Sequence, residues 1–234
     1  MSEVKRITHH INGAYWKESA ARSGDVYNPA TGKVTARVDF ASPELIDHGV
    51  KVAKKAQEQW AQASLAKRVQ VLFAFREILN ARKEEVAKLI TAEHGKVLSD
   101  ALGEVTRGLE VVEFACGIPH LLKGGYSEGA STNIDVYSIR QPLGVCAIIS
   151  PFNFPAMVPM WFFPIAIAAG NAVIIKPSEK DPSTINLIAE FWKEAGLPDG
   201  VFNVIHGDKV AVDSLLAHPD VASISFVGST PIAR

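Results

Sequence analysis

The chain has 234 residues, 47% hydrophobic and 21% charged, with 24 Lys and Arg against 25 Asp and Glu for a net charge of −1. This composition excludes a disordered, collagen-like or coiled-coil protein, and at ~150 residues per domain the length suits one or two domains with a sizeable core. No sequence-wide positive field exists to attract nucleic acid or anionic lipid, and Cys116 and Cys146, far apart and without clustered histidines, make neither a disulfide framework nor a zinc site.

The start, Met1-Ser2-Glu3-Val4-Lys5-Arg6, has no apolar signal core and no Arg/Ser-rich presequence, so a cytoplasmic location is expected. Ser42-Pro43-Glu44 reads as an N-cap followed by proline at the first helical position, and Leu45, Ile46, Val50, Ala53, Ala56 and Trp60 then recur at helical spacing. Lys51, Lys54 and Lys55 lie opposite that stripe as a solvated face. The same periodicity predicts helices over 65–79, over 84–94 with Gly95 closing, and from 99 to about 122, giving a helical first half.

After Gly124-Gly125 the pattern alternates, and 133–140 reads as a half-exposed strand or hairpin arm able to pair with another segment or subunit. From Gln141 to Ile175 there is no charged residue or histidine, which is long enough to span a bilayer. Pro142, Pro151, Pro155, Pro159 and Pro164, with Asn153 and Asn171, argue against a span, because they would leave polar groups unsatisfied in hydrocarbon. Strands are predicted instead over 145–149, 172–175, 201–205 and 222–227, alternating with helices near 157–169, 183–195 and 209–217. That order implies an α/β fold whose parallel sheet is covered on both faces, a dinucleotide-type half-fold. Another helix begins at Ser229-Thr230-Pro231.

In such a sheet ligands lie beyond the carboxyl ends of the strands. The first turn, Ser150-Pro151-Phe152-Asn153-Phe154-Pro155, presents Asn153 on a proline-stiffened loop. Its amide could donate to a developing oxyanion, or could simply tie down its own loop. In the second turn, Lys176-Pro177-Ser178-Glu179-Lys180, the Glu179 carboxylate could accept both hydroxyls of an adenosine ribose and repel a 2′-phosphate, favouring NAD. Lys176 could donate to the same ribose with Lys180 beside it; the alternative is an ordinary solvated connection. The third turn, His206-Gly207-Asp208, has no second histidine at ligand spacing, so His206 reads as a surface or core residue. The fourth, Gly228-Ser229-Thr230-Pro231, offers free N–H groups and the Ser229 hydroxyl to a pyrophosphate, as any capped helix does. No GxGxxG, GxxxxGK[ST] or HExxH occurs, which argues against a standard Rossmann fingerprint, a P-loop and a zinc protease. Cys116 and Cys146 lie on apolar faces and read as core thiols.

Taken jointly, Arg140-Gln141-Pro142-Leu143-Gly144-Val145, Pro151-Phe152-Asn153-Phe154-Pro155, Ile175-Lys176-Pro177-Ser178-Glu179, Gly196-Leu197-Pro198-Asp199-Gly200 and Phe226-Val227-Gly228-Ser229-Thr230 resemble the NAD(P)-dependent aldehyde dehydrogenase superfamily, in order and along the whole chain. The resemblance implies a Rossmann-like NAD-binding domain over 142–234, an oligomerisation β-arm over 123–141, and N-terminal strands and helices over 1–122 packing on the cofactor domain. It makes Asn153 the oxyanion donor, Lys176 and Glu179 the ribose contacts and Ser229 a pyrophosphate contact, with Ser150, Phe152 and Lys180 lining the cofactor groove. Phe152, where tryptophan is commonest, and the segment 206–213 are similar to the methylmalonate-semialdehyde dehydrogenase branch, whose members oxidise malonate or methylmalonate semialdehyde, release carbon dioxide and pass the acyl group to coenzyme A. Arg107 matches that branch's carboxylate-holding arginine; by spacing alone it is a surface residue paired with Glu104 or Glu110. The family's cysteine nucleophile and glutamate base lie beyond Arg234, so these 234 residues alone are expected to be inactive. The expected partners are a semialdehyde, NAD, coenzyme A and, at full length, further copies of the chain as a dimer or tetramer. A hydrolytic member of the superfamily and a non-catalytic nucleotide-binding fragment are the alternatives.

Overall fold

The computed structural model describes residues 4–233. Lys5–Ile7 (β1), His10–Ile11 (β2), Ala14–Tyr15 (β3), Arg22–Asn28 (β4) and Lys33–Phe40 (β5) precede the first helix. This corrects the expectation of a helical first half: β1, β2 and β3 are too short for alternation to register as a pattern, β4, of seven residues, carries little apolar alternation, and β5, of eight, alternates yet went unread. Strands β1, β5 and β4 form a small sheet in that order.

Pro43–Gln62 (α1) starts where the capping signal put it, with the Leu45 N–H donating to Ser42 Oγ at 3.4 Å. Its stripe of Ile46, Val50, Ala53 and Trp60 is buried. Leu65–His94 (α2) is one helix where two were predicted; the backbone leaves helical geometry at Arg82 (φ −112°, ψ 17°), which is the interruption that the periodicity registered. Gly95, at φ 88°, ends α2 in the left-handed conformation that glycine tolerates. Leu98–Cys116 (α3) stops before Gly117, and Pro119 sits in the first turn of a separate short helix, Ile118–Leu121 (α4). Tyr126–Ser131 (β6) and Ile134–Tyr137 (β7) pair antiparallel, and every residue of both strands is exposed.

The second half alternates as predicted. Val145–Ile149 (β8) is followed by Met157–Met160 (α5) and Phe163–Ala168 (α6), then Ala172–Lys176 (β9), Ser183–Glu194 (α7), Phe202–Val204 (β10), Lys209–Leu216 (α8), Val221–Phe226 (β11) and Thr230–Ala233 (α9). The single helix expected over 157–169 is two, because Pro164 lacks an N–H and is accommodated only in the first turn of the second. The main sheet runs β11-β8-β9-β10-β2-β3, with β11, β8, β9 and β10 mutually parallel and the short N-terminal strands β2 and β3 added antiparallel at one edge.

Alternate strand residues bury into two cores, the pattern of a sheet covered on both faces. Cys146, Ile148, Val173 and Ile175 join a core with Phe75 of α2, Val105 of α3 and Trp192 of α7. Val145, Ala147, Ala172 and Ile174 join the other, with Ile46 of α1 and Leu215 of α8. Each fully buried aliphatic side chain contributes about 1.5–3 kcal/mol, and Phe75 adds a parallel stack on Trp192 with centroids 3.7 Å apart. Both cysteines are buried and burial pushes their thiols up, as core thiols require. Among the described residues, no helix is long and apolar enough to cross a membrane.

Candidate functional site

Strand register places the four turns along one edge. Ile149 pairs with Lys176 and Phe226, and Val204 with Ile175, so the carboxyl ends of β8, β9, β10 and β11 align and Ser150, Lys176, His206 and the 227–229 turn follow at the same side of the sheet.

Lys176 closes β9 with its side chain buried. Its Nζ donates to the Gly207 carbonyl at 3.2 Å and forms an ion pair with Glu179 Oε2 at 3.6 Å. Burial pushes the ammonium pKa down, while the Glu179 carboxylate opposes the shift. The reading of 176–180 as a solvated connection is therefore corrected: Lys176, Pro177 and Ser178 are buried, and only Glu179 and Lys180 reach solvent. A cavity of about 470 Å³ opens here, lined in part by Phe152, Glu179, Lys180, Asp181, Glu93 and His94. Lys180 Nζ sits 4.3 Å from the centroid of the Phe152 ring, which also stacks with His94 at 6.4 Å. Ser150 is buried beside this edge, and its Oγ has no hydrogen-bond partner among the described residues.

Asn153 is exposed, and its side-chain amide makes no hydrogen bond among the described residues; the alternative that this amide ties down its own loop is not what holds it. The loop is instead fixed through its backbone. Lys96 Nζ donates to the Asn153 carbonyl at 2.8 Å, and Glu104 Oε1 accepts the N–H groups of Ala156 at 2.8 Å and Met157 at 3.2 Å. Arg107, on α3, is exposed and forms no ion pair among the described residues, which corrects its pairing with Glu104 or Glu110: Glu104 turns inward to Lys96. Ser229 is exposed at the same sheet edge, next to Val227 whose N–H reaches Ile149 at 3.3 Å, but it does not line the cavity shared by Phe152, Glu179 and Lys180.

His206 is a core residue. Its N–H donates to His9 Nδ1 at 3.0 Å, its Nε2 meets Asn186 Oδ1 at 3.1 Å, and full burial holds its pKa well below the ordinary value. Several charged residues of the region went unselected by sequence reasoning: Glu93, Lys96, Glu104 and Asp181. Asp181 has both carboxyl oxygens buried without a partner, and burial, with Glu93 and Glu104 adding repulsion, pushes it up to about 8. The cue available for these residues was position: Glu93 and Lys96 flank the glycine that ends a helix, and Asp181 follows the Lys-Pro-Ser-Glu-Lys turn. Of these groups Phe152, Glu179 and Lys180 line the cavity, while the buried Lys176 ammonium, the Ser150 hydroxyl and the exposed Asn153 amide lie outside its lining at the same end of the sheet; the set offers donors and acceptors suited to a polyhydroxyl ligand and to a developing oxyanion.

The aldehyde dehydrogenase family matches residues 16–234. A malonate-semialdehyde dehydrogenase of Pseudomonas aeruginosa is 52% identical over 228 residues, covering 97% of this chain and 46% of that protein. A second, malonate-semialdehyde dehydrogenase 2 of Geobacillus thermodenitrificans, is 46% identical over 234 residues, 100% of this chain and 48% of that one. Among solved structures, one from Sinorhizobium meliloti 1021, described as a methylmalonate-semialdehyde dehydrogenase complexed with NAD, superposes with a TM-score of 0.97 at 50% identity, covering 100% of this chain and 48% of its own. The methylmalonate-semialdehyde dehydrogenase of Oceanimonas doudoroffii gives 0.96 at 49% identity, with 98% and 47% covered. The chain thus spans about half the length of the curated relatives it matches.

Proposed function

Since this chain belongs to the aldehyde dehydrogenase family, we propose that it is the N-terminal, NAD-binding half of a coenzyme-A-acylating semialdehyde dehydrogenase, one that converts malonate or methylmalonate semialdehyde to acetyl- or propionyl-CoA with release of carbon dioxide and formation of NADH. The observation that carries the reading is the Lys176–Glu179 pair at the carboxyl end of β9, opening on the cavity that Phe152 and Lys180 share. The donor set fits a dinucleotide: Glu179 can accept the ribose hydroxyls, Lys176 can donate to them, and the orphan Ser150 Oγ has an unused hydrogen bond to give. Phe152 and Lys180 wall the groove, and Ser229 at the start of α9 supplies a hydroxyl for the pyrophosphate. NAD, when bound, supplies the hydride acceptor.

The chain's own groups orient and stabilise. Asn153, with its amide unengaged, donates to the aldehyde oxygen as that oxygen gains charge, an interaction whose loss costs about 10²–10³ in kcat in comparable sites. The Arg107 guanidinium, with no ion pair among the described residues, offers a bidentate fork to the substrate carboxylate. Residues 142–234 hold the cofactor, 1–122 brace them, and the 123–141 arm joins copies of the chain. The thiol nucleophile and the carboxylate base are assigned to the portion of the full-length protein beyond these 234 residues, which alone bind NAD without turnover.

The test is turnover of malonate semialdehyde by the full-length protein with NAD, with and without coenzyme A. Acetyl-CoA formation dependent on coenzyme A is expected; equal rates and a free-acid product would assign the hydrolytic chemistry instead. In the same assay Arg107→Ala is expected to lose about tenfold or more in kcat/KM for carboxylated aldehydes while simple aldehydes are spared. An unchanged preference removes Arg107 from the substrate site.

A further inference from the structure

The turn after β10, His206-Gly207-Asp208, is pinned from one side by residues that precede position 42. The His206 N–H donates to His9 Nδ1 at 3.0 Å, and the His206 carbonyl accepts the Ala41 N–H at 3.0 Å. The Asp208 carboxylate takes both arms of the Arg22 guanidinium, at 2.7 and 3.0 Å. A two-armed pair of this kind fixes direction as well as distance. Asp208 also caps α8, its Oδ1 accepting the Val210 N–H at 3.2 Å. The turn has no slack, since a Cβ on Gly207 would lie 2.5 Å from Ala211 Cβ.

From the other side, the Gly207 carbonyl accepts Lys176 Nζ at 3.2 Å, and Lys176 meets Glu179 at 3.6 Å. That carbonyl belongs to the planar peptide that joins Gly207 to Asp208, so a shift of Asp208 moves it directly. Every link from Arg22 to Glu179 is therefore a bond or an observed contact. The Lys176 ammonium is buried, and among the described residues its polar partners are this carbonyl and Glu179. Displacing the carbonyl leaves a desolvated cation with the more distant partner alone. The Arg22–Asp208 pair is itself 47% and 34% exposed and adds little to stability. What it supplies is position.

We propose that Arg22 is a positioning residue for cofactor binding. By holding Asp208 it sets the Gly207 carbonyl, and through that carbonyl it keeps the Lys176 ammonium where Lys176 and Glu179 together take the adenosine ribose hydroxyls. The inference rests on the ribose roles proposed above for Lys176 and Glu179.

The experiment measures Kd by calorimetry for NAD and for an NAD analogue whose adenosine ribose lacks both hydroxyls, in the full-length wild type, Arg22→Met and Asp208→Asn. The wild type is expected to bind the analogue about tenfold more weakly than NAD. Arg22→Met is expected to lose about fivefold on NAD and less than about twofold on the analogue, because the ribose grip that it disturbs is already absent there, with the denaturation midpoint little changed. Asp208→Asn keeps an oxygen to cap α8 and removes the charge that holds Arg22, so the same selective loss is expected, and the double variant should be no weaker than either single one. Equal losses on both ligands, or no loss on NAD, overturn the positioning role. Should Arg22→Met fail to fold, Asp208→Asn carries the same comparison. A wild type that does not bind NAD, or binds both ligands equally, defeats the ribose reading and this inference with it. A wild type that discriminates while its variants show no selective loss defeats the role of Arg22 alone.

Discussion

The buried titratable groups make opposite demands on pH. Asp181 is 1% exposed, its oxygens have no hydrogen-bond partner among the described residues, and its carboxyl is pushed up to about 8 from an ordinary 3.8. The folded chain therefore holds a proton that the unfolded chain releases, so this group's contribution is fully present below pH 3.8 and is lost as pH rises through 8. Asp181→Asn keeps the shape and removes the ionisation. It is expected to stabilise the protein by about 2–4 kcal/mol at pH 7.5 and by less than about 1 kcal/mol at pH 4.5. Urea unfolding at the two pH values reads the difference, and equal effects at both would mean that Asp181 is ionised in the fold. His9 behaves with the other sign: burial lowers it to about 4 from 6.5, so stability is present above 6.5 and lost as pH falls through 4. These shifts were invisible in the sequence, because burial is a property of what packs over a residue. Asp181 and Glu104 look there like any helix-flanking or helix-surface carboxylate, whereas Lys176 and Glu179 stood out because a strand end located them.

Elements were legible where a sharp end or an apolar run marked them rather than by length alone, since β4 and β5, of seven and eight residues, went unread. Helix α1 was fixed by Ser42, Pro43 and a long apolar stripe, and β8 by an unbroken apolar run between turn residues. Strands β2 and β3, two residues each, carry no periodic signal, yet they complete one edge of the main sheet. The break between α5 and α6 was written in Pro159 and Pro164 but masked by apolar residues throughout. Gly95 illustrates a sharp end that also serves the candidate site, since Lys96 follows it directly. At φ 88° it ends α2, and a Cβ there would lie 2.6 Å from Pro29 Cγ. Gly95→Ala must accept both a left-handed backbone and that clash, so a loss of about 1–2 kcal/mol is expected, read as a lower denaturation midpoint with unchanged slope. An unaltered midpoint would mean that the 28–32 turn yields without cost.

At the scale of the molecule, the β6–β7 hairpin is the feature that the chain's own packing leaves unexplained. Tyr126, Ile134, Val136 and Tyr137 are all more than half exposed, with values from 52% to 73%. A two-stranded hairpin is at best marginally stable in water, and an exposed apolar ribbon of this kind fits the proposed joining of copies of the chain. Its alternation was readable in the sequence, but an occupant for it was not, because contact with another chain would leave no periodicity of its own. The root of the hairpin is closed: the Ser138 N–H donates to Gly125 at 2.9 Å, and the Gly125 N–H to Ser138 Oγ at the same distance. Removing 126–137 and bridging Gly125 to Ser138 with a short Gly-Ser turn therefore asks little of the rest of the fold. In the full-length protein this deletion is expected to lower the mass measured by light scattering to that of a smaller assembly, while NAD affinity stays within about twofold, since the arm touches neither core of the main sheet. An unchanged mass would show that subunits join elsewhere, and the exposed ribbon would then need an occupant other than a second copy of this chain.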